Sequence, residues 1–465
     1  MTELPKGWER VRLADVAEVR LGRQRSPKRA TGDRMRPYLR AANVTWRGLD
    51  LSDVKEMDFT ASESETYELR PGDLLLSEAS GSPGEVGKPA QYQGEIDGCC
   101  FQNTLIRVRL PNGLLPDFYE YFFREQALNG RFAARSRGVG IHHLGAVGLS
   151  DWTAPVPPHA EQERIVAAIE EAFSKLDAGE AGLRTVRQVL KRMRDALLTA
   201  AVTGRLVPQD PTDTPATKLL ADLGVEPIEQ DERPAVPDGW AGSLLGNVAR
   251  WSSGGTPKSD EPSYYGGRIP WAVIGDLSDG LVRDTASSIT DAGLANSSAK
   301  VVEPGTVLVA MYGSIGKLGV AAVPMATNQA IACAVPSTAV TRNWLFLWLR
   351  AQRNELIDAG RGGTQSNISQ RILKGWPIAV PPVPEQLRIV AEVERQLSFV
   401  EACERAVDTG LERSAALRRS VLKAAFEGRL VPQDLTDEPA SVLVERIRAE
   451  QAAAPKPARR GRTTA

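Results

Sequence analysis

The chain of 465 residues predicts a mixed α/β fold: two globular α/β units joined by two long helices that pack as an antiparallel coiled coil, with an internal pseudo-two-fold repeat. Three observations predict it. At an offset of 224, WTAPVPPHAEQERIV (152–166) falls on WPIAVPPVPEQLRIV (376–390), and MRDALLTAAVTGRLVPQD (193–210) falls on LRRSVLKAAFEGRLVPQD (417–434) without a gap. Between these blocks apolar residues step by four and three, the spacing of a helical seam. Upstream of each block, short apolar runs broken by Gly and Pro alternate with a longer amphipathic segment, which is the pattern of strands and a helix.

In the first unit the strand candidates are 36–44, 73–77 and 104–110, followed by the helix PDFYEYFFREQALNGRF (116–132). The second unit mirrors it with 269–274, 306–311 and 331–335 before NWLFLWLRAQRNELIDAG (343–360). Each unit opens on Gly-Trp (Gly7-Trp8, Gly239-Trp240) and carries a Pro-Gly turn before an apolar run, RPGDLLL (70–76) and EPGTVLV (303–309). The first long helix starts at Pro157-Pro158 with an acidic first turn. Its seam runs through Ile165, Ile169, Ala172, Leu176, Gly179, Leu183, Val186, Leu190, Met193, Leu197 and Ala200, and it stops near Gly204 and Pro208. The second seam, Val390, Val393, Leu397, Val400, Val407, Leu411 and Val421, is looser and stops at Gly428. Two such stripes need partners, and each is the other's nearest. The resulting division is 1–151 globular, 152–207 first helix region, 208–237 an acidic Pro-bearing linker with at most one short helix, 238–375 globular, 376–430 second helix region, and 431–465 a tail ending in KPARRGRTTA.

Composition excludes several classes. Apolar residues at 42% and charged residues at 25%, with 41 Gly and 31 Pro, describe a globular chain rich in turns rather than a fibrous or disordered one. Four cysteines without ligand spacing and an N-terminus without an apolar signal core fit a reducing cytoplasm better than secretion. The longest strongly apolar patch, WLFLWL (344–349), is too short to span a bilayer.

Enzyme motifs fail on inspection. The loop SGSPGEVGKP (80–89) has its glycines at the wrong spacing for a phosphate loop, and Pro89 stands where a hydroxyl would be needed; YGSIGKLG (312–319) fails similarly. The Pro-Pro pairs lack the flanking residues of a methyltransferase loop, and no Glu/Asp-x-Lys cluster suggests a nuclease. Three histidines, His142, His143 and His159, lack ligand spacing. No catalytic, cofactor-binding or metal-binding residue is therefore assigned.

Charge placement points to nucleic acid instead. The formal charge is only −1, yet residues 1–40 hold eleven Lys or Arg against five acids. Cations attract phosphate, whereas Asn, Gln, Ser, Thr and Arg can read base edges. In the first unit the DNA-contact candidates are Arg20, Arg23, Arg25, Lys28, Arg29, Arg40, Asn43, Ser82, Lys88, Arg135, Arg137, His142 and His143. In the second they are Ser253, Thr256, Lys258, Tyr264, Tyr265, Arg268, Ser314, Lys317, Arg361, Thr364, Gln365 and Asn367. Each alone could be a solvated surface residue; their recurrence in both units favours DNA.

KGWE (6–9), RxxNV (40–44), RPGDLLLS (70–77), SGSPGEVGK, SSGGTPKSDEPSYYGGRIPW (252–271), YGSIGKLG, GGTQSNIS (362–369) and the duplicated PP…EQxRIV and GRLVPQD blocks together resemble the specificity subunit of Type I restriction-modification systems, over nearly the whole chain. The resemblance implies two target recognition domains, each reading one half of a bipartite double-stranded DNA site; held apart by the rod of helices, they would engage half-sites roughly 10–15 base pairs apart from centre to centre. It implies conserved helices that space the domains and dock two modification subunits, with S-adenosylmethionine held by those partners and none by this chain. Two restriction subunits can join such a core. A departure is IHHLGAVGL (141–149), where the second unit has TQSNISQRI. The competing readings are a coiled-coil adaptor that binds proteins but not DNA, and an enzyme whose catalytic part is unrecognisable.

Overall fold

The computed structural model describes residues 4–26, 30–135, 142–228, 236–360 and 367–453. It divides into two compact units, Met1–Leu183 with Thr409–Ala465, and Arg184–Asp408. Each unit therefore holds one globular domain and pieces of both long helices.

In the first unit a four-stranded antiparallel sheet runs Glu18–Leu21, Leu105–Arg109, Leu74–Ser77, Pro89–Gln91. Beside it, Met35–Leu39 pairs parallel to Cys100–Phe101 and antiparallel to Lys55–Asp58. The amphipathic run expected at 116–132 forms the helix Pro116–Leu128, then a glycine-stopped turn, then a short helix Arg131–Arg135. Phe118, Tyr119, Phe122 and Phe123 are buried there with Leu74, Leu76, Ile106 and Val108 of the sheet. Glu9–Arg12 pairs antiparallel with Thr153–Val156, so the domain's first and last strands meet and hand the chain straight to the first long helix.

The second unit has a five-stranded sheet, Ala249–Ser253, Ile331–Pro336, Val307–Ala310, Leu318–Ala321, Gly280–Val282. A four-stranded sheet carries Tyr265–Ala272 between Ser288–Ile289 and Met325–Thr327. The helices Arg342–Ala351 and Arg353–Ala359 occupy the segment expected at 343–360. Ala241–Leu244 pairs with Pro377–Val380, repeating the closure of the first unit.

The long helices are His159–Val202 and Val383–Phe426, 44 residues each, or about 66 Å apiece. They pack antiparallel. In the first unit Arg418 lies over the Phe173 ring at 5.0 Å and reaches Asp177 at 2.6 Å, and Leu183 meets Gly410 further along. In the second unit Arg187 pairs with Asp408, and Arg194 with Glu404 at 2.7 Å. Of the second seam, Val390, Val393, Leu397, Val400 and Val407 are buried, while Leu411 and Val421 are half-buried. The first holds at Ile165, Ile169, Leu190 and Leu197, but Val186 and Met193 are 45% and 46% exposed. In the second unit Leu197 packs in one core cluster with Val390, Val393 and Leu397, and Leu190 is buried, while Val186 and Met193 stay outside.

The duplicated motif has a mechanical explanation. Gln162 accepts the Leu115 amide at 3.0 Å and donates to Pro157 O at 3.1 Å, fixing the helix start against the domain. Gln386 does the same with the Thr341 amide at 2.7 Å and Pro381 O at 2.9 Å. Glu161 and Glu385 are 1% exposed, and burial pushes both carboxyls up. Arg164 pairs with Asp437, and Arg388 with Asp213.

The segment after each GRLVPQD block belongs to its unit's core. The linker carries the short helix Ala216–Ala221, with Ala216 and Leu220 buried. The tail, which the sequence presents only as a C-terminal extension, carries Ala440–Ala453 with Ala440, Leu443, Val444 and Ile447 buried. Ala216 donates to Gly239 O at 2.8 Å and Ala440 to Gly7 O at 2.9 Å, so the same joint is made twice.

Candidate nucleic-acid interface

Two glycine-rich loops, one per unit, are clasped in the same way. In the first unit Ala79–Ser80 pairs antiparallel with His142–His143, setting His142 opposite Ser80 and His143 opposite Ala79. The Leu144 amide closes the clasp on Glu78 O at 2.8 Å. In the second unit the Ile368 amide donates to Met311 O at 2.9 Å, and Asn367 bridges Tyr312. His143 and Asn367 therefore stand at corresponding places, each presented beside a loop whose hydroxyl, Ser82 or Ser314, is exposed.

The loops are held, not slack. Gly87, at φ +71°, lies under Phe132, and a Cβ there would collide with that ring. Lys88 folds onto Glu85, which also accepts the Trp46 indole N–H at 2.7 Å. Burial opposes ionisation of Glu85, but these hydrogen bonds outweigh it and hold its carboxyl below the usual range. In the second unit Lys317 donates to Ile274 O at 3.2 Å. Both loop lysines thus secure the loop rather than project from it. Their local role is structural, because each ammonium already has oxygen partners.

The N-terminal arm of each domain crosses the sheet through a glycine. The Gly22 amide reaches Leu105 O at 3.0 Å and the Gly254 amide reaches Ile331 O at 3.4 Å. Beyond it the candidates separate by environment. Arg25, Ser253 and Lys258 are exposed. Thr256 bonds Gln329. The Tyr265 hydroxyl donates to Pro257 O at 2.7 Å, and its ring lies edge-on to Trp271, while Tyr264 is half-buried. Arg268 is exposed, with Asp291 at 3.3 Å. Arg20 pairs with Glu18 at 2.7 Å and Arg40 with Asp53 at 2.5 Å. Arg135 lies over Trp152 at 4.8 Å.

Two candidates sit inside. Arg23 is 7% exposed, paired with Glu63 at 3.0 Å and lying over the Phe59 ring at 5.0 Å. Asn43 is 2% exposed; its Oδ1 accepts the Arg40 amide at 3.1 Å and its Nδ2 donates to Asp50 O at 2.8 Å. Asn43 closes a turn and Arg23 ties its strand to the helix that carries Glu63, so the basic count of residues 1–40 overstates what faces solvent. Lys28, Arg29, Arg137, Arg361, Thr364 and Gln365 lie outside the described residues.

Sequence reasoning missed the carboxylates. Glu78 sits 3.1 Å from His143 Nδ1, a pairing that only the strand register creates. It also missed the amide pairs Gln102-Asn103 and Asn328-Gln329. The backbone N–H groups of Gln102 and Asn328 donate to Leu39 O at 2.9 Å and Ala272 O at 3.0 Å, which sets the two residues at equivalent points of the two domains. Their recurrence after an apolar strand was a usable signal. Together the clasped strands, loop hydroxyls and amides offer hydrogen-bonding groups of both senses, suited to base edges, with cations at the margins for phosphate.

Two α/β domains of this kind, each closed by its own strand pair and set on antiparallel helices, define a duplicated recognition scaffold. The family described as Type I restriction modification DNA specificity domain matches residues 5–184 and 237–400, and the chain belongs to that family. It is 27% identical over 420 residues to the Type I restriction enzyme EcoBI specificity subunit of Escherichia coli, covering 84% of this chain and 82% of that one. It is 23% identical over 473 residues to the EcoKI specificity subunit of Escherichia coli K12, covering 97% of both. A solved chain from work on complex assembly and conformational transition of the type I R-M system shares the fold, with a TM-score of 0.67, 21% identity, and coverage of 92% of this chain and 99% of that one. No helix among the described residues is long and apolar enough to cross a membrane.

Proposed function

We propose that this chain is the non-catalytic DNA-reading subunit of a Type I restriction-modification complex. Each globular domain reads one half of a bipartite duplex site, and the two long helices set the distance between halves. The observation that carries the reading is the coincidence of the two family matches with two domains that each present a clasped loop beside the same sheet position. The differing side chains there, His142 and His143 against Asn367, would let the halves read different sequences.

In this reading two modification subunits dock on the helices, hold S-adenosylmethionine and extrude an adenine near each half-site. Two restriction subunits can complete the assembly. Purification of the chain with its neighbouring gene products, followed by intact complex mass and genome-wide mapping of methylated adenines, tests the reading. Two modification subunits per chain and a single bipartite motif are expected. A chain recovered without a methyltransferase, from a preparation that preserves other complexes, would overturn it.

A further inference from the structure

The first unit contains a basic-mouthed cavity. It has a volume of about 510 Å³ and lies among the short helix Arg131–Arg135, the closing strands Glu9–Arg12 and Thr153–Val156, and the last turn of the second long helix. Phe122, Phe426 and Trp152 form its apolar wall. Arg10, Arg131, Arg135 and Lys423 stand at its mouth, all exposed, against the carboxylates of Glu125 and Glu427. Glu125 is 3% exposed and takes hydrogen bonds from Gln126 and from Asn129 at 2.6 Å, with Arg131 at 3.4 Å. Four cations and two carboxylates thus line it, and all four cations are exposed.

Three of these charged side chains have uncharged counterparts in the second repeat. Strand register places Gly242 where Arg10 stands, and the gap-free repeat places Thr199 and Thr203 where Lys423 and Glu427 stand. The mouth is also physically joined to the candidate interface. Phe132, on the same short helix as Arg131 and Arg135, is the residue that packs beneath Gly87 of the clasped loop.

We infer that Arg10, Arg131, Arg135 and Lys423 hold backbone phosphates of the duplex flanking the half-site read by the first domain, as a non-sequence-reading clamp. This rests on the DNA-reading function proposed above. Phosphate contacts fix register and affinity without carrying sequence, and each one displaces counterions, so their loss has a defined signature.

The test is binding of the assembled complex to a duplex bearing its mapped site and to a scrambled duplex, by fluorescence anisotropy between about 50 and 200 mM salt. Lys423→Thr installs the residue of the second repeat at an exposed position, and Arg131→Gln probes the helix. Each is expected to reduce the slope of log affinity against log salt by about 0.9, to weaken both duplexes by the same factor, and to leave the methylated sequence unchanged. A slope equal to that of the unaltered complex overturns the clamp, and Lys423→Thr keeps this decisive if Arg131→Gln disturbs folding. Loss of a modification subunit from the purified variant, with the slope per assembled complex unchanged, would also overturn it by making the mouth a protein dock. If the unaltered complex fails to prefer its site over the scrambled duplex, the DNA-reading function itself fails, independently of the clamp.

Discussion

Arg164 Nη2 lies 2.6 Å from Asp437 Oδ2, joining the second turn of one long helix to a residue 273 positions later. The second repeat makes the identical joint between Arg388 and Asp213 at 2.7 Å. Each aspartate is nearly buried and stands just before the short helix that follows a GRLVPQD block. Asp437→Ala removes a charge-assisted hydrogen bond from a partly exposed arginine, so a loss of about 1–2 kcal/mol is expected. Asp213→Ala should cost a similar amount. The two losses should add, because the pairs share no residue and lie in different units. Urea midpoints of the single and double variants check this; a double variant no worse than either single would show that the joints do not act separately.

Glu63 supplies a pH-dependent support of the first domain. It caps its own helix by accepting the Thr60 amide at 2.9 Å and it receives Arg23 at 3.0 Å. Burial raises its pKa, but these hydrogen bonds and the Arg23 charge prevail and bring it from 4.5 to about 2. A depressed carboxyl stabilises the fold above its unfolded value and loses that contribution as pH falls. The support is thus whole above 4.5 and disappears on descent towards about 2. Glu63→Gln keeps a capping side chain yet leaves Arg23 buried without its carboxylate, so a loss of about 2 kcal/mol at neutral pH is expected. The difference from the unaltered protein should close as pH approaches 2. An equal difference at both pH values would remove the Arg23–Glu63 charge as its cause.

These two pairs show what the sequence could and could not convey. The repeat exposed both long helices, the domain frames and even Glu161, Gln162 and Arg164 as a duplicated motif, because identical joints need identical residues. Strand and helix positions followed from periodicity. The partner of Arg164 was not legible, since Asp437 lies in a stretch with no periodic signal of its own. Arg23 and Asn43 read as surface polar groups because their residue types favour exposure; only tertiary contacts with Glu63, Phe59, Asp50 and the Arg40 amide carry them inside. The exposed ridge at Val186 and Met193 has the opposite cause, a seam rule satisfied in sequence but met in space by Leu190 and Leu197.

His143 gives the sharpest test of which half reads what. It is 55% exposed, corresponds to Asn367, and is steadied by Glu78. His143→Asn exchanges an imidazole for the amide of the other domain and removes the Glu78 contact. Sequence preference should relax or change at one half-site by about 1–3 kcal/mol per affected base pair, with the other half unaltered. Mapping methylated adenines in cells carrying the variant complex reads both halves at once. A change in both halves would contradict the assignment of one domain to each.

The helices offer an independent test of spacing. The compact units part between Leu183 and Arg184 on the first long helix and between Asp408 and Thr409 on the second. Seven residues inserted at both points preserve the apolar seam on either side, since one heptad returns it to the same face. At about 1.5 Å per residue the insertion lengthens each helix by about 10 Å, equivalent to about three base pairs of duplex. Methylation mapping should therefore show both half-site sequences intact and the non-specific spacer longer by up to about three base pairs. An insertion in one helix alone breaks the antiparallel match and should abolish modification instead. Altered half-sites with an unchanged spacer would mean that the helices contribute to reading and do not set distance.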